Sequence, residues 1–182
     1  MLKGIALGVT LTLAVALLGG YALLQSGRIP ANADAQPGGL ELWMAHKSLD
    51  ATLDREAPTN PNPVALNDQN LVAGVKLFAQ NCAACHGSAQ GEASRSPIAK
   101  GMYPRPPQLA SDGVEDDSDG ESFWKIKHGI RLTGMPSFGY SLSDQQIWTL
   151  ALFVKHMDKL PPAAQQAWQQ VQNWPAAVTA EK

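Results

Sequence analysis

The chain contains two cysteines, three positions apart, and a histidine follows the second: Cys82-Ala83-Ala84-Cys85-His86. Two thiols at this spacing can form thioethers with the two vinyl groups of one porphyrin, and the adjacent histidine then lies under the iron as an axial ligand. Three other uses of such a pair compete. A thioredoxin-like dithiol follows a strand and gives the histidine no role, whereas the lead-in here reads as helix. A structural zinc needs a fourth ligand at fitting spacing, and His46, His128 and His156 make no such set with the motif. A coincidental pair of buried cysteines is the plainest alternative. Covalent haem c through Cys82 and Cys85 is the expectation, because the chain also carries the export segment that this chemistry requires.

Haem iron takes a second axial ligand when it serves electron transfer and leaves that position open for catalysis. Met102, Met135 and Met157 follow the motif, and each could instead fill a core. Met157 falls at a periodic position of the last clear helix. Met102 stands in a proline-rich loop. Met135 lies in Thr133-Gly134-Met135-Pro136-Ser137-Phe138, where glycine and proline frame a loop that no helix constrains. Met135 is the favoured ligand beside His86, with Met102, Met157 and no methionine as alternatives. His46 reads as a packed or surface histidine. Glu115, Asp117, Asp119 and Gly120 echo the start of a calcium loop, but Ile126 stands where the closing glutamate belongs, which leaves a solvated acidic turn.

The elements around these residues are legible from periodicity and caps. Ile5 to Leu24 holds no charged residue, which is long enough to cross a hydrocarbon core of about 30 Å. Lys3 before it and Arg28 after it favour an inside N-terminus, and possible cleavage sites near Ala33 lie well beyond the apolar run, so a retained anchor is expected over a cleaved signal. A turn-prone spacer and a helix over 40–57 follow, with Leu42, His46, Leu49 and Leu53 on one stripe. Asn60-Pro61-Asn62-Pro63 is a stiff connector. A helix capped by Asn67 or Asp68 runs through Leu71, Gly74, Val75 and Phe78 into the motif, and Gly74 implies a close crossing by another helix. Residues 94–109 are too proline-rich for a helix. Ser118 and Glu121 form a capping box for a helix over 119–128 stopped by Gly129, and Ser143 with Gln146 caps a last clear helix ending at Pro161. A weak amphipathic helix is expected between Ala163 and Trp174.

With GVKLFAQNCAACHG, a proline-rich loop, GMPSF and a capped C-terminal helix in that order, the chain resembles a class I c-type cytochrome over about 67–160. The resemblance implies a small all-α, mono-haem domain of three to four helices, here preceded by one transmembrane helix. It implies that Gly74 meets an aromatic residue of the last helix, Trp148, and that Tyr103, Arg105, Pro106 and Pro107 border the haem propionates and edge. Metal ligation falls to His86 and Met135. The organisation expected is an anchor at 1–28, a spacer, helix and linker at 29–63, the haem domain at 64–160 and a tail at 161–182.

The function this implies is single-electron transfer in a membrane-linked respiratory or periplasmic chain, with no catalytic residue. The haem domain would lie on the periplasmic side of the cytoplasmic membrane. A quinol-oxidising complex or periplasmic dehydrogenase would donate, and an oxidase or other terminal acceptor would receive. The alternatives are a fixed subunit of a dehydrogenase or oxidase, and a haem peroxidase or gas sensor. A formal net charge of -2 and a pI near 6.0 exclude the global basic field that nucleic acid requires. Lys125, Lys127, His128 and Arg131 before the methionine loop suggest a basic docking rim, or a merely solvated face.

Overall fold

A computed structural model describes residues 1–113 and 116–172. Glu115 of the acidic turn, and the tail from 173 onward with Trp174, lie outside the described residues. The described residues are all-α: nine helices, two short 3-10 turns and no strand. They form two compact units, divided between Gln36 and Pro37.

The first unit is dominated by α1 (Leu2–Gln25), which is apolar along most of its length and whose side chains are all exposed. At 1.5 Å per residue its 24 residues extend about 36 Å, enough to cross a bilayer core. Thr10 and Thr12 donate their hydroxyls to the carbonyls of Ala6 and Gly8 at 2.9 and 3.0 Å, so neither side chain leaves a donor unpaired on an apolar helix.

In the second unit, α2 (Gly39–Glu56) packs through its C-terminal half: Leu53 is buried and Leu49 half-buried, whereas Leu42 and His46 of the expected stripe are exposed. The connector that follows is held on the helical core. Asn62 Nδ2 donates to the Trp148 carbonyl at 3.1 Å, and Val64 is buried. The core itself is built by α3 (Asp68–Asn81), α7 (Asp119–His128), α8 (Asp144–Lys155) and α9 (Pro162–Gln169). The caps are those the sequence specifies. The Asn67 side chain accepts from the Asn70 amide, and Ser118 with Glu121 and Ser143 with Gln146 form reciprocal boxes.

Helices α3 and α8 cross at Gly74. A Cβ there would lie 2.5 Å from Phe153 Cβ and 2.8 Å from the Thr149 carbonyl oxygen. The partner is therefore Thr149 and Phe153, not the expected Trp148. Thr149 and Phe153 are four residues apart and share one face of α8, while the Trp148 ring turns aside to stack on Phe123, with centroids 4.1 Å apart. Trp168 of α9 completes the same core, meeting Phe78 and Phe153 edge-on at 5.3 Å each.

Two expectations need correction. The proline-rich stretch contains α5 (Pro97–Gly101), and α6 (Leu109–Asp112) begins at its last residue. Proline is tolerated at the first helical position, and Ser96 caps α5 by accepting from the Ala99 amide. Also, α8 ends at Lys155, so Met157 lies in the turn after it, buried in the main core.

Candidate functional site

Helix α3 delivers the cysteine motif directly: its last residue is Asn81, and the motif forms the single turn α4 (Ala83–His86), with the His86 amide bonded to the Cys82 carbonyl at 2.9 Å. Neighbouring loops fix this turn from outside. Ser96 Oγ donates to the Ala84 carbonyl at 2.5 Å, and Gln108 Nε2 donates to the Cys85 carbonyl at 3.0 Å. Gln108 is fully buried, so the bond is shielded from water and the motif has little freedom to tilt.

His86 Nδ1 lies 3.0 Å from the Pro107 carbonyl oxygen. A carbonyl only accepts, so Nδ1 carries the proton and Nε2 keeps its lone pair for a metal. Burial lowers the His86 pKa, opposed by the Pro107 bond, and the ring stays neutral at pH 7. Burial pushes the Cys82 thiol up to about 12, with the neighbouring Cys85 adding to the effect, and burial raises Cys85 as well. Both are therefore protonated, free thiols rather than the low-pKa pair of a dithiol oxidoreductase. Among the described residues no group of three or more His, Cys, Asp or Glu side chains could hold a metal ion, so the zinc alternative lacks its ligands.

Cys82, Cys85 and His86 border a cavity of about 500 Å³, within the range of cofactor sites at roughly 300–1,000 Å³. Phe78, Leu109, Ile126, Ile130, Phe138, Leu150 and Val154 make most of its wall apolar. This shape and donor set fit a haem: an apolar slot for the macrocycle, two thiols for its vinyls, a neutral imidazole for iron, and Arg105 with Lys125 as cations at the wall.

Met135 and Met102 both border the cavity, and Met157 does not. The two stand close together. A Cβ on Gly134 would come 1.8 Å from Met102 Cε, so the end of the Met102 side chain rests on the methionine loop. Met135 is held through its backbone: its amide donates to Thr133 Oγ1 at 3.0 Å and its carbonyl accepts from the Ile130 amide at 3.2 Å. The loop folds back over the end of α7. Gly129, at φ +68°, has the Met135 carbonyl oxygen and the Pro136 carbonyl carbon where a Cβ would sit, at 2.7 and 2.6 Å.

Of the residues assigned to the haem edge, Arg105, Pro106 and Pro107 border the cavity. Tyr103 does not; its hydroxyl donates to Glu41 Oε1 at 2.6 Å on α2. Two features escaped sequence reasoning. Leu49 of α2 is in the cavity wall, and so is the pair formed by Lys125 Nζ and Asp117 Oδ2, 2.7 Å apart. Leu49's place on an apolar stripe was the available signal for the first; the second had none. That pair, with a second between Lys127 and Asp144 at 2.8 Å, neutralises two of the three lysine and arginine side chains of the basic stretch.

Residues 69–154 match the family model for cytochrome C oxidase, cbb3-type, subunit III. No match is found among curated proteins. Among solved structures, a chain of the reducing HAO-like protein complex of Kuenenia stuttgartiensis is similar at 21% identity and a TM-score of 0.42, over 60% of this chain and 54% of that one. The present chain thus spans about half the length of that neighbour.

Proposed function

We propose, from the match of residues 69–154 to the family model for cytochrome C oxidase, cbb3-type, subunit III, that the chain is a single-electron carrier with one haem c. The haem is bound covalently through Cys82 and Cys85 and ligated by His86 and Met135. The observation that carries the reading is the convergence of both thiols, His86 and Met135 on one apolar cavity. When bound, haem supplies one-electron chemistry at an iron whose potential is set by its axial ligands and its burial.

The residues of the chain do the rest. Pro107 fixes the His86 tautomer and ring orientation. Ser96 and Gln108 hold the motif turn, and Gly129 and Thr133 hold the methionine loop, so both ligands stay in place through a change of iron charge. Arg105 is placed to pair with a propionate, and Pro106 and Pro107 border the haem edge. Helix α1 tethers the domain to the cytoplasmic membrane with the haem on the outer side, in line with Lys3 before the span. The donor is a quinol-oxidising complex or periplasmic dehydrogenase, and the acceptor an oxidase or another terminal protein. A second reading, a fixed haem subunit of an oxidase, is favoured by the description of the matching family.

Replacing Met135 by alanine tests the assignment. The reduction potential should fall, the near-infrared sulfur-to-ferric-iron band should vanish and the ferrous protein should bind carbon monoxide, while acidified acetone still leaves the haem on the chain. Met102→Ala should keep the band. A Met135→Ala protein that retains the band and refuses carbon monoxide places the ligand elsewhere. Rapid carbon monoxide binding by the unaltered protein replaces the carrier with a catalyst or sensor.

A further inference from the structure

Helix α2 presents apolar residues on two sides. Leu49 and Leu53 face the core, whereas Leu40, Trp43 and Met44 are 70%, 60% and 56% exposed. At 100° per residue these three fall on one stripe, opposite Leu49 and Leu53. The stripe ends after two turns, where Lys47, Asp50 and Asp54 take over the outward side. It therefore occupies the end of the helix that emerges from the spacer.

We propose that the Leu40–Trp43–Met44 face lies in the interfacial layer of the membrane that α1 spans. The inference rests on the anchor reading above. Residues 26–38 join the two helices, and even fully extended they reach only about 45 Å. A tether of this length keeps the face at an effective concentration on the order of millimolar near the bilayer, so a weak affinity suffices. The composition suits that layer: an indole offers an apolar body with one donor that headgroups can satisfy, and leucine and methionine reach the acyl boundary. A second copy of the chain is a poorer occupant. Three side chains fall far short of the roughly 800 Å² per partner that a stable protein interface buries. Docking in this way also fixes the tilt of the haem domain, because Glu41 on the same helix accepts from Tyr103 and Leu49 is in the cavity wall.

The test uses the full haem-loaded chain in lipid vesicles. In that protein both native thiols are taken up by haem, so Met44→Cys and, separately, Leu17→Cys each give one site for a nitroxide label. Accessibility to oxygen and to a water-soluble nickel chelate is then compared. Leu17 should read as lipid, and Met44 should read as interface, with oxygen favoured at least severalfold over nickel relative to the detergent-free aqueous domain. Adding Trp43→Glu should return the Met44 label to water. A Leu17 label in lipid with a Met44 label fully open to nickel overturns the proposal and leaves the anchor standing. A Leu17 label outside lipid overturns the anchor and the proposal with it. A Met44 label shielded from both reagents means that another copy covers the face, which also overturns the proposal.

Discussion

Leu132 stands apart from every other non-glycine residue described. It has φ +62° and is 91% exposed, at the third position of a turn closed by the Thr133 amide on the Ile130 carbonyl at 3.2 Å. Glycine is the residue such a turn favours, and a leucine there costs about 1–2 kcal/mol without burying its side chain. Leu132→Gly should therefore raise stability by about 1 kcal/mol in urea denaturation while leaving the haem spectrum and potential unchanged. A loss of stability would show that the side chain packs in solution. The ligand candidates show the limits of reading single residues. Cys82, Cys85 and His86 are legible as a candidate set because the spacing that suggests their chemistry is local, and all three border the cavity. The two methionines are not separable by spacing alone, because Met102 and Met135 come to the same cavity along different loops.

Among the elements, those with local stop and start signals were legible and those defined by distant partners were not. The boxes at Ser118 and Ser143 fix their helices from four residues each. Helix α5 is hidden by its proline content, because proline breaks a helix in its interior but Pro97 sits here at the first helical position behind the Ser96 cap. Gly74 signalled a crossing, but the identity of the residues on α8 depends on that helix's rotation, which the sequence of α3 does not contain. Gly74→Ala tests the crossing. The helix gains propensity from alanine, yet the new methyl meets backbone at 2.8 Å and the packed Phe153 Cβ at 2.5 Å, so a net loss of about 2 kcal/mol is expected. A melting temperature equal to that of the unaltered protein would mean that the helices separate without penalty.

At the scale of the whole molecule, the helical core extends beyond the family match. The match ends at residue 154, but the core is closed by Trp168, which is 3% exposed and wedged between Phe78 and Phe153. Phe78 also lines the cavity, so α9 backs one part of its wall. Trp168→Ala should cost about 3–5 kcal/mol, read as a lower urea midpoint, and should loosen the haem environment in near-ultraviolet circular dichroism. If only the midpoint moves, the cavity wall does not depend on α9. The sequence offered this helix as a weak amphipathic pattern, because its aromatic partners lie more than eighty and about fifteen positions away.

The position of Trp168 also orders events in time. A chain emerging N-terminus first presents the cysteine motif long before α9, at about 5–20 residues per second during synthesis. Until α9 docks, Phe78 lacks the Trp168 ring that backs it and this part of the cavity wall is incomplete. Once the fold closes, burial holds Cys82 at about 12, where almost none of it is the reactive thiolate. On the covalent-haem reading proposed above, α9 would act as a latch on maturation, with attachment favoured while α9 is undocked and Cys82 is not yet buried.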